Sequence, residues 1–125
     1  MKVFGVFSCL ATLMAGALAA SPGTVSAHQH QSGDTRTIEV VAKEFAFEPA
    51  RIEVAPGSRV EIKLVNEGSL SHNLHIAGEG MTTETIQTGH TDVLTVTAPE
   101  NGKLAFFCKV PGHKQAGMAG EIVAH

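Results

Sequence analysis

Cysteine is nearly absent from this 125-residue chain, which holds Cys9 and Cys108 and no others. Cys9 lies in a nearly uncharged run from Val3 to Ala20 that follows Lys2 and leads into small residues. A basic start, an apolar middle and a small-residue cut site are the layout of a secretory signal. Residues 1–27 are therefore expected to be removed by a cut after Ala27. Ala20 also fits the rule, but Pro22 crowds it. The alternative is an uncleaved anchor, since about 18 apolar residues is the shortest run that spans a bilayer. The single Lys and the interspersed Gly, Ser and Thr favour export, hence a periplasmic or secreted protein with no membrane insertion after processing. The residues before Cys9 (Val6, Phe7, Ser8) do not suit a lipid-attachment site. Export leaves Cys108 alone, which excludes an internal disulfide. A lone thiol in an oxidising compartment is reactive, partner-seeking or metal-bound.

Basic residues are also sparse. Lys2 leaves with the signal, so the remaining 98 residues carry eight Lys and Arg against twelve Asp and Glu, a formal charge of −4. No basic stripe is present, which argues against a nucleic-acid partner. No segment keeps a helical period, and there is no internal repeat or low-complexity tract. The length allows one domain with a modest core.

Alternation of apolar and charged residues is what the chain does have. Ile38-Glu39-Val40, Ile52-Glu53-Val54 and Val60-Glu61-Ile62-Lys63-Leu64 follow the two-residue period of half-buried strands. His72 to Ile76, Leu94 to Thr97, Leu104 to Cys108 and Glu121 to Val123 continue it. Turn residues separate these runs, among them Pro56-Gly57-Ser58, Gly78-Glu79-Gly80 and Pro99-Glu100-Asn101-Gly102. Seven or eight short strands at this spacing predict an all-β fold, a Greek-key antiparallel β-sandwich over residues 36–125. Residues 28–35 read as a flexible tail. The stretch from Gly80 to Gly89 reads as a short helix or an irregular crossing.

Parity places the candidate chemistry. If Leu74 and Ile76 face the core, His72 does too, while Asn73 and His75 face away. Leu104, Phe106 and Cys108 likewise share a face. His72 and Cys108 are thus inward-pointing residues at strand ends, where a sandwich can close a buried site.

Cys108, His113 and Met118 follow one another at five-residue intervals, with Pro111, Gly112 and Gly117 between them. A loop of that composition can fold back and bring all three side chains onto one ion. Thiolate and thioether are soft ligands and imidazole is intermediate. Two His, one Cys and a weak Met make the donor set of electron-transfer copper. Structural zinc takes four strong ligands and does not favour thioether, so Met118 argues for one copper ion cycling between Cu(I) and Cu(II). The plainer reading of Cys108 is a buried core thiol, and of Met118 a filler of core gaps. The placement of His113 and Met118 in one loop with Cys108 favours the metal.

Over Thr37 to Ala124 the sequence resembles the plastocyanin/azurin-like cupredoxins. The front half carries Phe47-Glu-Pro-Ala-Arg-Ile-Glu-Val-Ala-Pro-Gly-Ser-Arg-Val60 and Asn66, similar to that family's second and third strands. Ser71-His72-Asn73 stands where the family places its first His ligand and an adjacent Asn. Phe106-Phe107-Cys108 through Met118-Ala-Gly-Glu-Ile122 looks like the ligand loop and last strand. The resemblance implies a cupredoxin fold, with His72, Cys108 and His113 as trigonal copper ligands and Met118 as a long axial one. It also implies that Asn73 ties the His72 strand to the Cys108 loop, the kind of bond that holds ligands in place. Two departures keep the match at family level. Four residues separate Cys108 from His113, where plastocyanins usually have two, and the chain lacks the azurin disulfide.

The remaining residues sort by the same reasoning. Parity makes His75 a surface residue, and His90, in a turn, is given no role. Phe45, Phe47, Phe106 and Phe107 are expected to pack in the core or at its rim. A cut after Ala27 would put a free amine two residues before His30, and the amine, backbone nitrogens and imidazole of His28-Gln29-His30 could hold Cu(II) in a square plane. The competing reading is a polar tail.

Function then divides three ways. The favoured expectation is a monomeric electron shuttle with transient protein donors and acceptors. His113 would serve as the electron door, Leu70, Val110 and Pro111 as an apolar collar, and Lys109 and Lys114 as steering charges. A periplasmic copper carrier using the same site is the alternative. An enzyme is not expected, because Phe107 and Lys109 flank Cys108 where multicopper oxidases usually have His. Seven histidines also cannot furnish a trinuclear cluster besides this site.

Overall fold

The computed structural model describes residues 35–125. The expected signal at 1–27, the His28–His30 site and all but the last residue of the 28–35 tail lie outside the described residues. Nine strands and no helix are found among those described: β1 (Arg36–Lys43), β2 (Ala46–Glu48), β3 (Arg51–Val54), β4 (Arg59–Asn66), β5 (His75–Ile76), β6 (Met81–Thr82), β7 (Thr91–Thr97), β8 (Gly102–Phe107) and β9 (Ala119–Ala124). They form two sheets, ordered β2-β1-β4-β7 and β3-β9-β8-β5-β6.

The alternation read from the sequence produces the core. Val60, Ile62 and Leu64 of β4 are fully buried, while Arg59 is exposed and Glu61 and Lys63 are half-buried. Val40, Ile52, Val54, Leu94, Val96, Phe106 and Ile122 join them between the sheets, and the Phe47 and Phe106 rings meet edge to face at 5.5 Å. Burying a side chain of this size contributes about 1.5–3 kcal/mol, so these facing rows supply most of the driving force for closing the sandwich.

Two features depart from an all-antiparallel sandwich of seven or eight strands. β1 pairs with β4 in parallel, Ile38 opposite Ile62, and β3 pairs with β9 in parallel, Ile52 opposite Ile122, so both sheets are mixed. Parallel neighbours need a crossover: the chain visits β3 in the second sheet between β1 and β4, and β4 and β7 in the first sheet between β3 and β9. The additional strands are the three- and two-residue elements β2 and β6, too short to show a period, and the run read from His72 to Ile76 is a regular strand only over its last two residues, β5. Between Gly80 and Gly89 the chain is an irregular crossing holding β6 and an antiparallel bridge between His72 and Ile86.

Candidate metal centre

β8 delivers Cys108 as the first residue beyond its end, on the inward face shared with Phe106. The chain then leaves the sheet in a run of turns to Met118, immediately before β9. Gly112 and Gly117 take φ of +86° and +103°, in the left-handed region where a Cβ would strain the backbone. Backbone bonds draw the loop closed. The His113 N–H donates to Val110 O at 3.1 Å, the Met118 N–H to His113 O at 3.1 Å, and the Cys108 N–H to Met118 O at 3.1 Å. Both sulfur residues are thereby pinned side by side at the mouth of the β8–β9 pair, with His113 at the tip of the loop.

His72 arrives from another direction and is held by exchanged backbone bonds with Ile86, at 3.1 Å and 2.8 Å. Asn66, the last residue of β4, is fully buried and shapes the loop that leads to it. Its Nδ2 donates to Leu70 O at 2.8 Å and to Ile86 O at 2.9 Å, and its Oδ1 accepts the Gly68 N–H at 2.9 Å. Asn73 joins the two ligand-bearing segments: the Lys109 N–H donates to Asn73 Oδ1 at 2.7 Å, and Asn73 Nδ2 donates to Thr85 Oγ1 at 2.9 Å. Asn73 is buried, not turned to solvent as strand parity implies, because the regular strand begins only at His75.

His72, Cys108 and His113 come together: one ligand atom from each lies within 4.8 Å of the other two. The His72 and His113 Nδ1 atoms face each other at 3.2 Å, and Cys108 Sγ is 3.5 Å from His113 Nδ1. All three side chains are buried, His72 completely, Cys108 to 1% exposure and His113 to 7%. Met118 is fully buried, and its backbone is bonded to those of Cys108 and His113. His75 stays outside, half-buried, with Nδ1 2.7 Å from Thr82 Oγ1 and its ring 5.0 Å from that of Phe107. His90 is exposed.

The donor chemistry suits copper. A neutral imidazole has one N–H and one lone pair, so two facing Nδ1 atoms either share a proton or both offer lone pairs to a cation. His72 Nε2 is buried and has no hydrogen-bond partner among the described residues, an arrangement that a purely structural histidine avoids. Burial first, and then the neighbouring His113, holds His72 below the ordinary imidazole range, which keeps it neutral and able to donate a lone pair. Two imidazoles, a thiol and a neighbouring thioether make a set that a soft or borderline ion prefers over a hard one.

Sequence reasoning missed the two-residue turn between β1 and β2. Phe45, at a φ of +59°, sets its ring edge-on to His113 at 5.4 Å while remaining 43% exposed. Glu44 turns its carboxylate to the other side, where it accepts the N–H groups of Ser69 and Leu70, the latter at 3.2 Å. These bonds, that from Ser69 first, hold Glu44 below the ordinary carboxylate range. Neither contact leaves a signature in local sequence. On the outer side of the ligand loop, Lys114 Nζ lies 3.9 Å over the Phe107 ring beside a groove that Val110 and Pro111 help to line.

Comparison with known proteins bears on the family and the fold. Residues 12–124 match the family model of the cupredoxin-like domain. The copper-resistant cuproprotein CopI of Pseudomonas aeruginosa is 27% identical over 136 aligned positions, covering 70% of this chain and 75% of that protein. The dithionite-reduced auracyanin of Roseiflexus castenholzii superposes with a TM-score of 0.65 at 22% identity, covering 74% of this chain and 99% of its own. Auracyanin A, a blue copper protein of Chloroflexus aurantiacus, superposes equally well, at 23% identity over 74% and 100%. At such identities the two solved structures speak for a shared fold.

Proposed function

The chain belongs to the cupredoxin-like domain family, and on that footing we propose that it is an exported mononuclear copper protein that carries single electrons between larger redox proteins. The observation that carries this reading is the buried convergence of His72 Nδ1, His113 Nδ1 and Cys108 Sγ. Met118 is the weak fourth ligand. Copper held there supplies a one-electron couple between Cu(I) and Cu(II) within a single ligand set. The protein's part is rigidity and exclusion of water. Cys108 and Met118 are locked to each other by backbone, His72 is fixed through Ile86 and Asn66, and Asn73 fastens the two segments together. Ligands tied in this way have little to rearrange when the charge of the site changes.

His113, the most exposed of the three, is the door for the electron. Phe45 and Leu70, both more than two-fifths exposed, and the exposed Pro111 belong to a small apolar docking face. Lys109 and Lys114 are exposed and favour an acidic partner. The protein acts as a monomer and catalyses no reaction of its own. The basic, apolar, small-residue order of positions 1–27 supports an extracytoplasmic location.

Copper handling is the second reading, favoured by the similarity to a copper-resistant cuproprotein and by His28 and His30. Rapid transfer of copper to a competing chelator would support the carrier, and fast electron self-exchange with retained metal the shuttle. The common premise is tested by adding Cu(II) to metal-free protein. An intense thiolate-to-Cu(II) absorption is expected, lost in Cys108→Ser, altered in His72→Ala and kept in His75→Ala. A wild-type protein without that band overturns the assignment.

A further inference from the structure

Among the described residues, His72 Nε2 is the one buried side-chain polar atom without a hydrogen-bond partner, and an ionised carboxylate stands close to it. Gly68 separates the two. A Cβ on Gly68 would lie 2.7 Å from Glu44 Oε1 and 2.9 Å from His72 Nε2, so the two atoms are at most about 5.6 Å apart, the sum of those distances. A side chain at position 68 would wedge them apart, and glycine is what permits the approach. Glu44 is no free surface acid. The backbone N–H groups of Ser69 and Leu70 fix its carboxylate at this spot. The same turn sends Phe45 against His113, so adjacent residues of one hairpin loop attend to the two imidazoles.

We propose that Glu44 is a positioning residue for His72: its carboxylate, fixed by the Ser69 and Leu70 N–H groups, faces the Nε2 edge of the ring across Gly68 and selects the Nε2-protonated tautomer. A negative charge beside one ring nitrogen favours the proton there, and the other nitrogen is left with its lone pair. That other nitrogen is Nδ1, the atom turned toward His113 and Cys108. Carboxylates that accept a histidine ligand's outer N–H orient the ring and raise its basicity; Glu44 makes no such bond to Nε2 and acts through its charge. The inference rests on the copper reading only for its effect on metal. The tautomer is a property of the metal-free protein.

The test has two arms. In ¹⁵N-labelled metal-free protein, the His72 ring is expected to show a protonated Nε2 and a bare Nδ1, and Glu44→Gln to move it toward a tautomer mixture. Gln retains an oxygen acceptor for Ser69 and Leu70 while removing the charge, and Glu44→Asp should restore the wild-type pattern in part. In the copper-loaded proteins, Glu44→Gln should raise the ratio of Cu(I) to Cu(II) binding constants about tenfold, a midpoint shift of about 59 mV for one electron. An opposite charge within about 4–6 Å shifts an equilibrium by one to three decades, and both the position of copper across the ring from Nε2 and the exposure of the carboxylate to water bring the expectation to the lower end. A wild-type His72 protonated at Nδ1 overturns the proposal even if the variant does not fold. So does a Glu44→Gln variant with wild-type tautomer and midpoint. If the wild-type protein lacks the thiolate-to-Cu(II) band while the tautomer is as expected, it is the copper assignment that falls.

Discussion

Asn66 spends all of its amide on backbone: two carbonyls accept from Nδ2 and one N–H donates to Oδ1, at 2.8–2.9 Å. Each bond ends on the segment that carries His72 or on the segment that braces it. Replacing Asn66 by Ala leaves Leu70 O and the Gly68 N–H without that partner, while Ile86 O keeps the His72 N–H, at about 1–3 kcal/mol for each that water cannot reach. With part of that recovered by relaxation, Asn66→Ala is expected to lower stability by about 2–4 kcal/mol in urea unfolding. It should also weaken copper retention against a chelator more than an equally destabilising change in the apolar core. Equal losses of retention at matched stability would mean that Asn66 serves the fold alone. Nothing in its neighbourhood in the sequence marks Asn66 for this role. A polar residue at the inward parity of a strand reads as an exception until its partners are visible. Glu44 is similar: it lies more than twenty residues from the backbone groups it holds, and no period or motif connects them. By contrast Cys108, His113 and Met118 were legible together, because one short loop carries them and sulfur and imidazole ligands declare their chemistry by type.

The elements that could be read in advance are those long enough to show an alternation, β1, β3, β4, β7, β8 and β9. The two-residue strand β6 has no period to find, the alternation from His72 to Ile76 overstates β5, and the parallel pairings β1–β4 and β3–β9 are decided by sheet closure over long sequence separations. The outer face of the second sheet shows a further non-local arrangement. Glu121 on β9 receives Lys103 from β8 at 2.9 Å and Arg51 from β3, bridging three adjacent strands. The Lys103 bond first, and then the charges of Lys103 and Arg51, hold Glu121 below its ordinary value of 4.5. A carboxylate whose pKa is depressed by folding stabilises the folded state above its unfolded pKa, and that contribution is lost as the pH falls through the folded value. The pairs are open to solvent, so the effect is small and salt-sensitive. Melting followed from neutral to acid pH at low salt should therefore lose stability more steeply in the wild type below about pH 4.5 than in Glu121→Gln. Parallel pH profiles for the two proteins would remove Glu121 from the acid response.

At the scale of the whole molecule, the candidate centre depends on both sheets at once. β8 and β9 frame Cys108 and Met118, while the first sheet reaches it through Asn66 at the end of β4 and through the β1–β2 turn that touches His113. A site assembled from parts that remote in sequence is not present in the unfolded chain, so metal that binds it is coupled to folding. A ligand that binds only the folded state adds about 2.7 kcal/mol of stability at a free concentration a hundredfold above its dissociation constant. For a domain of about 90 residues each kcal/mol moves the melting temperature by roughly 4–8 °C, so copper at that excess should raise it on the order of 10–20 °C. Cys108→Ser lacks the thiolate and should show a much smaller rise, whereas His75→Ala, outside the cluster, should match the wild type. Calorimetry with and without Cu(I) under reducing, oxygen-free conditions is the cleanest measurement, because Cu(II) also binds unfolded histidines and would mask part of the difference. A melting temperature unmoved by saturating Cu(I) would mean that His72, Cys108 and His113, however well gathered by the two sheets, do not act together as a metal site.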